Sequence, residues 1–142
     1  MKHFETLVVY ARTELNAGDE YDHYRPKLET LRRIAALLPR AHVQIVSATW
    51  CKDCRRELPR FAAIIRHLDG WSVELLGDDP ETRGRLEITR IPTFIVRSAG
   101  DGAAGGSDVG SELGRIVESP ATGSLEDDLL AIAEAHPSQI LA

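Results

Sequence analysis

Two cysteines, Cys51 and Cys54, stand where a buried strand is predicted to lead into a helix, and this junction constrains the fold more than any other feature. The preceding run, residues 42–48, contains β-branched residues and has apolar residues at both odd and even positions. This pattern is typical of a central strand buried on both faces. After the junction, apolar side chains follow helical spacing at Cys54, Leu58, Phe61, Ile65 and Leu68. We therefore expect the cysteine pair at the start of a helix that leaves a central strand.

The rest of the chain alternates in the same way. Periodicity predicts strands at residues 6–11, 42–48, 71–76, 93–96 and 113–117, and helices at residues 24–38, 51–68, 80–89 and 125–136. Residues 12–22 are predicted to be a polar connection, Pro59 to kink the second helix and Gly70 to cap its end. Strands that alternate with helices, followed by a hairpin near the C-terminus, predict an α/β fold. Its mixed central sheet would have about five strands with helices on both faces, a three-layer sandwich.

Length and glycine content indicate how the chain is organised. A chain of 142 residues suits one domain, residues 1–142, with a single core. Five of the 11 glycines lie between the last two predicted strands. Residues 98–112 are therefore expected to form a mobile, glycine-rich hairpin loop within that domain.

Charge and hydropathy exclude several classes of function. The 17 basic and 22 acidic residues give a net charge of −5, which disfavours a nucleic-acid partner. No apolar run approaches the roughly 18 residues that a membrane helix needs, and the N-terminus lacks the apolar segment of a secretory signal. We expect a cytoplasmic protein with no membrane partner, a location where stable structural disulfides are rare.

The cysteine pair has a direct chemical interpretation. At a helix N-terminus, unpaired backbone amides and the positive end of the helix dipole stabilise a thiolate over a thiol. Cys54 lies one helical turn after Cys51, close enough to attack a mixed disulfide formed there. Residue types and spacing thus predict dithiol–disulfide exchange in which Cys51 attacks and Cys54 resolves.

The pair also has two other interpretations. It could be two small buried hydrophobes on a helix, without chemistry. It could also bind zinc, but a structural zinc site takes four ligands, the chain has no second cysteine pair, and His42 and His67 are isolated. We therefore predict no metal.

The motif and its surroundings resemble the thioredoxin family. That family has Trp-Cys-X-X-Cys at the same junction, here Trp50 to Cys54, followed by a helix-kinking proline, here Pro59. The sequence Ile91-Pro92-Thr93, with Pro92 located 38 residues after Cys54, is similar to the family's cis-proline loop.

The resemblance implies a thioredoxin-like fold and the activity of a protein-disulfide reductase with no bound cofactor. It also implies a cis bond before Pro92 and a substrate groove lined by Ile91, Pro92 and Thr93, with Trp50 on the opposite side. The implied partners are a disulfide-containing protein and an electron donor such as a thioredoxin reductase or a glutathione system. An extended substrate peptide would add to the backbone next to the proline.

The chain departs from the family's pattern in two places. Lys52 and Asp53 replace the usual Gly-Pro between the cysteines, and Ile45 replaces a buried aspartate that assists the resolving cysteine. Glu57, three residues after Cys54, can share a helix face with it. Glu57 is therefore either a proton relay for Cys54 or a solvated helix acid.

Two functions compete with the reductase. One is a non-enzymatic binding or adaptor module with a thioredoxin fold and incidental cysteines. The other is a peroxidase, which would need a peroxidatic cysteine environment that the sequence does not identify.

Overall fold

A four-stranded mixed sheet forms the centre of the computed structural model, which describes residues 2–99 and 110–136. The strands are β1 (Ala41–Ser47), β2 (Trp71–Gly77), β3 (Thr93–Ser98) and β4 (Glu112–Val117), in the spatial order β2-β1-β3-β4. β1 pairs parallel to β2 and antiparallel to β3, and β3 pairs antiparallel to β4. The predicted α/β class is confirmed, but the described residues form four strands where about five were expected.

β1 has the central position predicted for it. It lies between β2 and β3, and every residue of the strand except His42 is buried. Ile45 of β1 is paired with Phe94 of β3, and the Phe94 ring lies 4.8 Å from the ring of Phe61, which is in a helix. Alternate residues of β1 from Ala41 onward, which share this face with Ile45, therefore face the helices. On the opposite face, polar side chains are hydrogen-bonded to one another: His42, Gln44, Ser72, Glu74 and Arg97.

Six α-helices accompany the sheet in the described part of the chain. They are α1 (Lys2–Val9), α2 (Gly18–His23), α3 (Leu28–Leu37), α4 (Lys52–Ile65), α5 (Pro80–Leu86) and α6 (Leu125–Glu134). α1 and α2 pack against α4, and α3 packs against α6, which also contacts β4. The starts of α5 and α6 are confirmed, because Asp79 accepts the Thr82 N–H at 2.8 Å and Ser124 accepts the Asp127 N–H at 3.2 Å.

The predicted first strand, residues 6–11, is wrong. α1 occupies that region and continues into a π-helical turn, Tyr10–Glu14. Leu7, Ala11 and Leu15 recur every four residues and are almost completely buried, which identifies one face of a helix. Packing of this face against α4 and β2 overrides the β propensity of the short apolar run. The polar connection predicted at residues 12–22 is likewise mostly helical.

Gly70 has a different role from the helix cap predicted for it. α4 ends at Ile65, and the capping residue Arg66 is in the right-handed helical region. Gly70 instead lies against the backbone of Pro39, where an added Cβ would be 2.0 Å from the carbonyl oxygen. A close approach of two backbones therefore requires glycine there. Pro59 lies inside α4 as expected.

The hairpin predicted near the C-terminus is present, since β3 and β4 pair as neighbours. Most of the glycine-rich segment predicted to be mobile, residues 100–109, lies outside the described residues.

Candidate functional site

The cysteine pair lies at the N-terminus of α4, just after β1. Cys51 is the N-cap residue, and its Sγ accepts the backbone N–H of Cys54 at 3.1 Å. The Cys51 backbone is fixed on both sides, because its N–H donates to the Ala48 carbonyl at 3.3 Å and its carbonyl accepts the Arg55 N–H at 3.2 Å. The prediction that Cys51 starts the helix is confirmed, and its sulfur faces an otherwise unpaired helix amide.

The two sulfurs are unequal in their access to solvent. Both cysteines are unpaired thiols, Cys51 is 5% exposed and Cys54 is not exposed at all. Burial raises the pKa of Cys54 well above its ordinary value, and its hydrogen bond with Cys51 raises it further. Hydrogen bonds from the Ser47 side chain and the Ala48 backbone partly oppose this increase. In the reduced pair, therefore, Cys54 holds its proton strongly.

A proline loop faces the first cysteine. The Ile91–Pro92 bond is cis, which confirms the expectation drawn from the resemblance. The Ile91 carbonyl oxygen lies 3.7 Å from Cys51 Sγ, and the Pro92 carbonyl accepts the Glu118 N–H at 2.7 Å. Thr93 is buried, and its hydroxyl donates to the Arg90 carbonyl at 2.5 Å. The loop is thus held by bonds to its own neighbours while Ile91 contacts the sulfur.

Trp50 precedes the pair and is 72% exposed. A large indole ring with this exposure, next to Cys51 in the chain, provides an apolar surface at the entrance to the site. The structure therefore brings together Cys51, Cys54 and Ile91 by direct contact and adds Trp50 and Pro92 as their chain neighbours. That Trp50 and Pro92 form two sides of one groove stays a prediction.

Glu57 is not a solvated helix acid, because it is only 2% exposed. Its Oε2 accepts Arg56 Nε at 2.6 Å, whereas its Oε1 is buried without a hydrogen-bond partner. A buried carboxylate oxygen without a partner is energetically costly, and a functional role is one explanation for such a group. Its role as a proton relay for Cys54 stays a prediction.

Two residues at the site escaped the sequence analysis. Ser47, the last residue of β1, is 3% exposed, and its side chain acts to lower the pKa of Cys54. Its Oγ also lies 3.2 Å from the Tyr10 hydroxyl, on the π-helical turn. A signal for Ser47 existed, since a serine that ends an apolar strand four residues before Cys51 needs a buried partner. Tyr10 gave no such signal while its segment was predicted to be a strand.

Residues 2–99 and 110–136 contain no group of three or more His, Cys, Asp or Glu side chains placed to hold a metal ion. Over the same residues, no helix is both long and apolar enough to cross a membrane.

Comparisons with known proteins bear on the fold. No family model matches the chain, and no curated protein matches it in sequence. The chain is similar to a protein of unknown function from Pseudomonas aeruginosa, with a TM-score of 0.59, 20% identity and coverage of 95% of this chain and 86% of that one. It is also similar to an HIV epitope-scaffold, with a TM-score of 0.60, 20% identity and coverage of 95% and 87%. At this identity, both similarities concern the fold alone.

Proposed function

We propose that this chain is a thiol–disulfide oxidoreductase with a thioredoxin-like, three-layer architecture. The observation that carries the proposal is the hydrogen bond from the Cys54 N–H to Cys51 Sγ at 3.1 Å, at the first turn of α4. This bond holds the sulfur that has some access to solvent at the helix N-terminus and leaves the completely buried sulfur to act second. The central position of β1 and the cis bond at Pro92, facing Cys51, support the same proposal.

The proposed reaction has two displacements. The Cys51 thiolate attacks a disulfide of the substrate, forms a mixed disulfide and releases one substrate sulfur as a thiolate. Cys54 then loses its proton and attacks Cys51 Sγ, which forms the Cys51–Cys54 disulfide and releases the second substrate sulfur. Two electrons pass to the substrate, no bound cofactor takes part, and a donor such as a thioredoxin reductase or a glutathione system restores the dithiol.

The proposed substrate is a disulfide-containing protein that binds as an extended segment beside Ile91, Pro92 and Thr93, with Trp50 across from them. Trp50 supports this because its ring is exposed and it directly precedes the attacking cysteine in the chain. We place the protein in the cytoplasm, where it would work as a reductant.

The alternative is a binding or adaptor module in which the cysteines are incidental. The exposed Trp50 favours it, since an apolar ring at the surface also suits recognition of a partner without chemistry. Partner affinity would then be unchanged in a variant that lacks both thiols.

The first test is the equilibrium between dithiol and disulfide forms in a series of glutathione redox buffers. We expect a two-electron transition, read by thiol labelling and mass, with Trp50 fluorescence as a second probe and Trp50→Phe as its control. A potential near the thioredoxin end of the range, about −270 mV, identifies a reductant, and one near about −120 mV identifies an oxidant. Failure to form an intramolecular disulfide would overturn the proposal.

Single cysteine variants separate the two roles. We expect Cys51→Ser to abolish disulfide exchange, because the remaining sulfur, that of Cys54, is completely buried. Cys54→Ser should still attack but accumulate the mixed disulfide at Cys51, which mass spectrometry detects. Full activity of Cys51→Ser would contradict the assignment of the attacking sulfur.

A further inference from the structure

A groove lies at the end of α4 that is opposite the cysteines, where α4 faces the start of α3. It has two compartments of about 480 Å³ and about 270 Å³. Leu28 and His67 line both compartments, so the two form one continuous groove. Ala63, on the wall that α4 provides, is 12 residues after Cys51, which is about 18 Å along a helix axis. The groove is therefore separate from the cysteine site.

The larger compartment carries excess positive charge. Arg25 lines one wall and Arg66 the other, and neither forms an ion pair within the described residues. Arg25 Nη1 donates only to backbone carbonyls, those of Asp22 at 2.7 Å and Tyr24 at 3.4 Å. Asp22 is the one acid among the described residues that line this compartment, and its carboxylate is already paired with Arg12 at 2.7 Å. Two guanidinium charges thus remain without a carboxylate, in a chain of net charge −5.

The smaller compartment is mainly apolar. Leu28, Leu31 and Ala35 line it from one face of α3, since they are spaced by three and four residues. Leu28 is 51% exposed although it is a large apolar residue. The arginine of this compartment, Arg32, is paired with Glu29 at 3.0 Å. The groove therefore has a charged half and an apolar half, which meet at Leu28.

The end of α4 explains part of this charge. Arg66 and His67 follow the last turn of α4, where cations complement the negative end of the helix dipole. Within the described residues, neither side chain forms a hydrogen bond or an ion pair. The dipole does not explain Arg25, which precedes α3 and lies across the compartment from Arg66. Cations from two separate segments thus line the same cavity.

We propose that this groove binds a small amphipathic anion, in which a carboxylate or phosphate group is attached to a single apolar chain. The anionic group lies between Arg25 and Arg66, because a guanidinium donates two parallel hydrogen bonds to either group. The apolar chain lies along Leu28, Leu31 and Ala35. Binding involves no covalent step and does not depend on the cysteines.

Octanoate and octyl phosphate are suitable probes, because each has one anionic group and one apolar chain. Acetate lacks the chain, and octanol lacks the charge. In a titration followed by the amide NMR spectrum, we expect saturable shifts confined to residues 22–35 and 63–67. Octanoate should bind at least about tenfold more tightly than acetate or octanol. The tighter of the two anionic probes identifies the preferred anionic group.

Substitutions test the two halves of the groove separately. Arg25→Gln and Arg66→Gln should each weaken the binding of octanoate by about threefold or more, and the double variant by about tenfold. Leu28→Ser should weaken octanoate and octanol alike. Arg85→Gln is the matched control, since it removes an exposed arginine from α5 that does not line the groove. A rise in salt from about 0.05 M to about 0.5 M should weaken octanoate but not octanol.

Three results would overturn the proposal. They are the absence of saturable shifts with both anionic probes, equal affinities for octanol and octanoate, and wild-type affinity in the double arginine variant. The amide spectrum of each variant shows directly whether it is folded. A variant with both cysteines replaced by serine should bind octanoate as wild type does, so failure of the oxidoreductase function would leave this test intact.

Discussion

The cysteine site is supported by two regions that are held in place in different ways. The central region, β1 with α4, is fixed by the hydrogen bonds of the sheet and by the Cys51 contacts at the helix start. The N-terminal region, residues 2–23, joins no strand of the described sheet and relies on one buried face packed against α4 and β2. The attacking sulfur is therefore positioned by backbone hydrogen bonds, whereas Tyr10 is held next to β1 by side-chain contacts.

The first prediction asks whether the N-terminal region belongs to the core. Leu7 in α1 and Leu58 in α4 are both completely buried. Leu7→Ala and Leu58→Ala should each lower the free energy of unfolding by about 2–5 kcal/mol, because both leave a cavity. Urea denaturation measures the two losses. Val9→Ala is the control, since Val9 is 58% exposed and should change stability by no more than about 0.5 kcal/mol.

A loss at Leu7 close to that of the Val9 control would contradict the first prediction. α1 would then be a peripheral helix, and the two regions would differ in stability as well as in the way that they are held in place. An equal loss at Leu7 and Leu58 would show that packing without strand pairing is sufficient to hold Tyr10.

The second prediction concerns stability at alkaline pH. The pKa of Cys54 is raised in the folded, reduced protein, so the unfolded chain loses this proton first. The stabilisation is therefore complete below the ordinary thiol pKa of about 8.5 and is lost as the pH rises towards the folded value. Urea denaturation under reducing conditions should show a decline above about pH 8.5, which is shallower in Cys54→Ala.

The same measurement separates the two regions. Burial raises the pKa of Tyr10 as well, but its ordinary value is about 10. Tyr10→Phe should therefore change the pH dependence only above about pH 10, whereas Cys54→Ala changes it from about pH 8.5. Identical profiles for wild type and Cys54→Ala would contradict a raised pKa at Cys54.

The sequence predicted the central region well because its signals are local. Cys51 and Cys54 lie in one helical turn. The same holds outside this region for the starts of α5 and α6, where the capping residues Asp79 and Ser124 precede the amides that they bind by three residues. The cis bond at Pro92 was the exception, since its basis was the resemblance and not the local pattern.

The N-terminal region could not be predicted from local signals. Residues 6–11 are a short apolar run that suits a strand or a helix, and only the extended spacing of Leu7, Ala11 and Leu15 distinguishes them. Their packing partner is α4, far along the chain. The contact between Tyr10 and Ser47 depends on that packing, so the wrong prediction for one element also concealed this contact.

The burial of Glu57 has a similar cause. A glutamate between two arginines and a leucine on a helix is typical of a solvated position. Glu57 is nevertheless 2% exposed, on a helix against which α1 and α2 pack. Which acids of a helix become buried depends on neighbours that the local sequence does not contain.

The smallest expected effect is at Glu57, and it tests whether this buried carboxylate takes the Cys54 proton. Glu57→Gln keeps the size of the side chain and removes its capacity to take a proton at neutral pH. Because Glu57 is bonded to Arg56 and no hydrogen bond in the described part of the chain joins it to Cys54, we expect the second displacement in Glu57→Gln to stay within about twofold of wild type. Stopped-flow release of the second coloured thiolate from a chromogenic aromatic disulfide measures this rate. A tenfold loss, with the first displacement unaffected, would assign the proton transfer to the carboxylate. The exit for the proton would then lie within the central region.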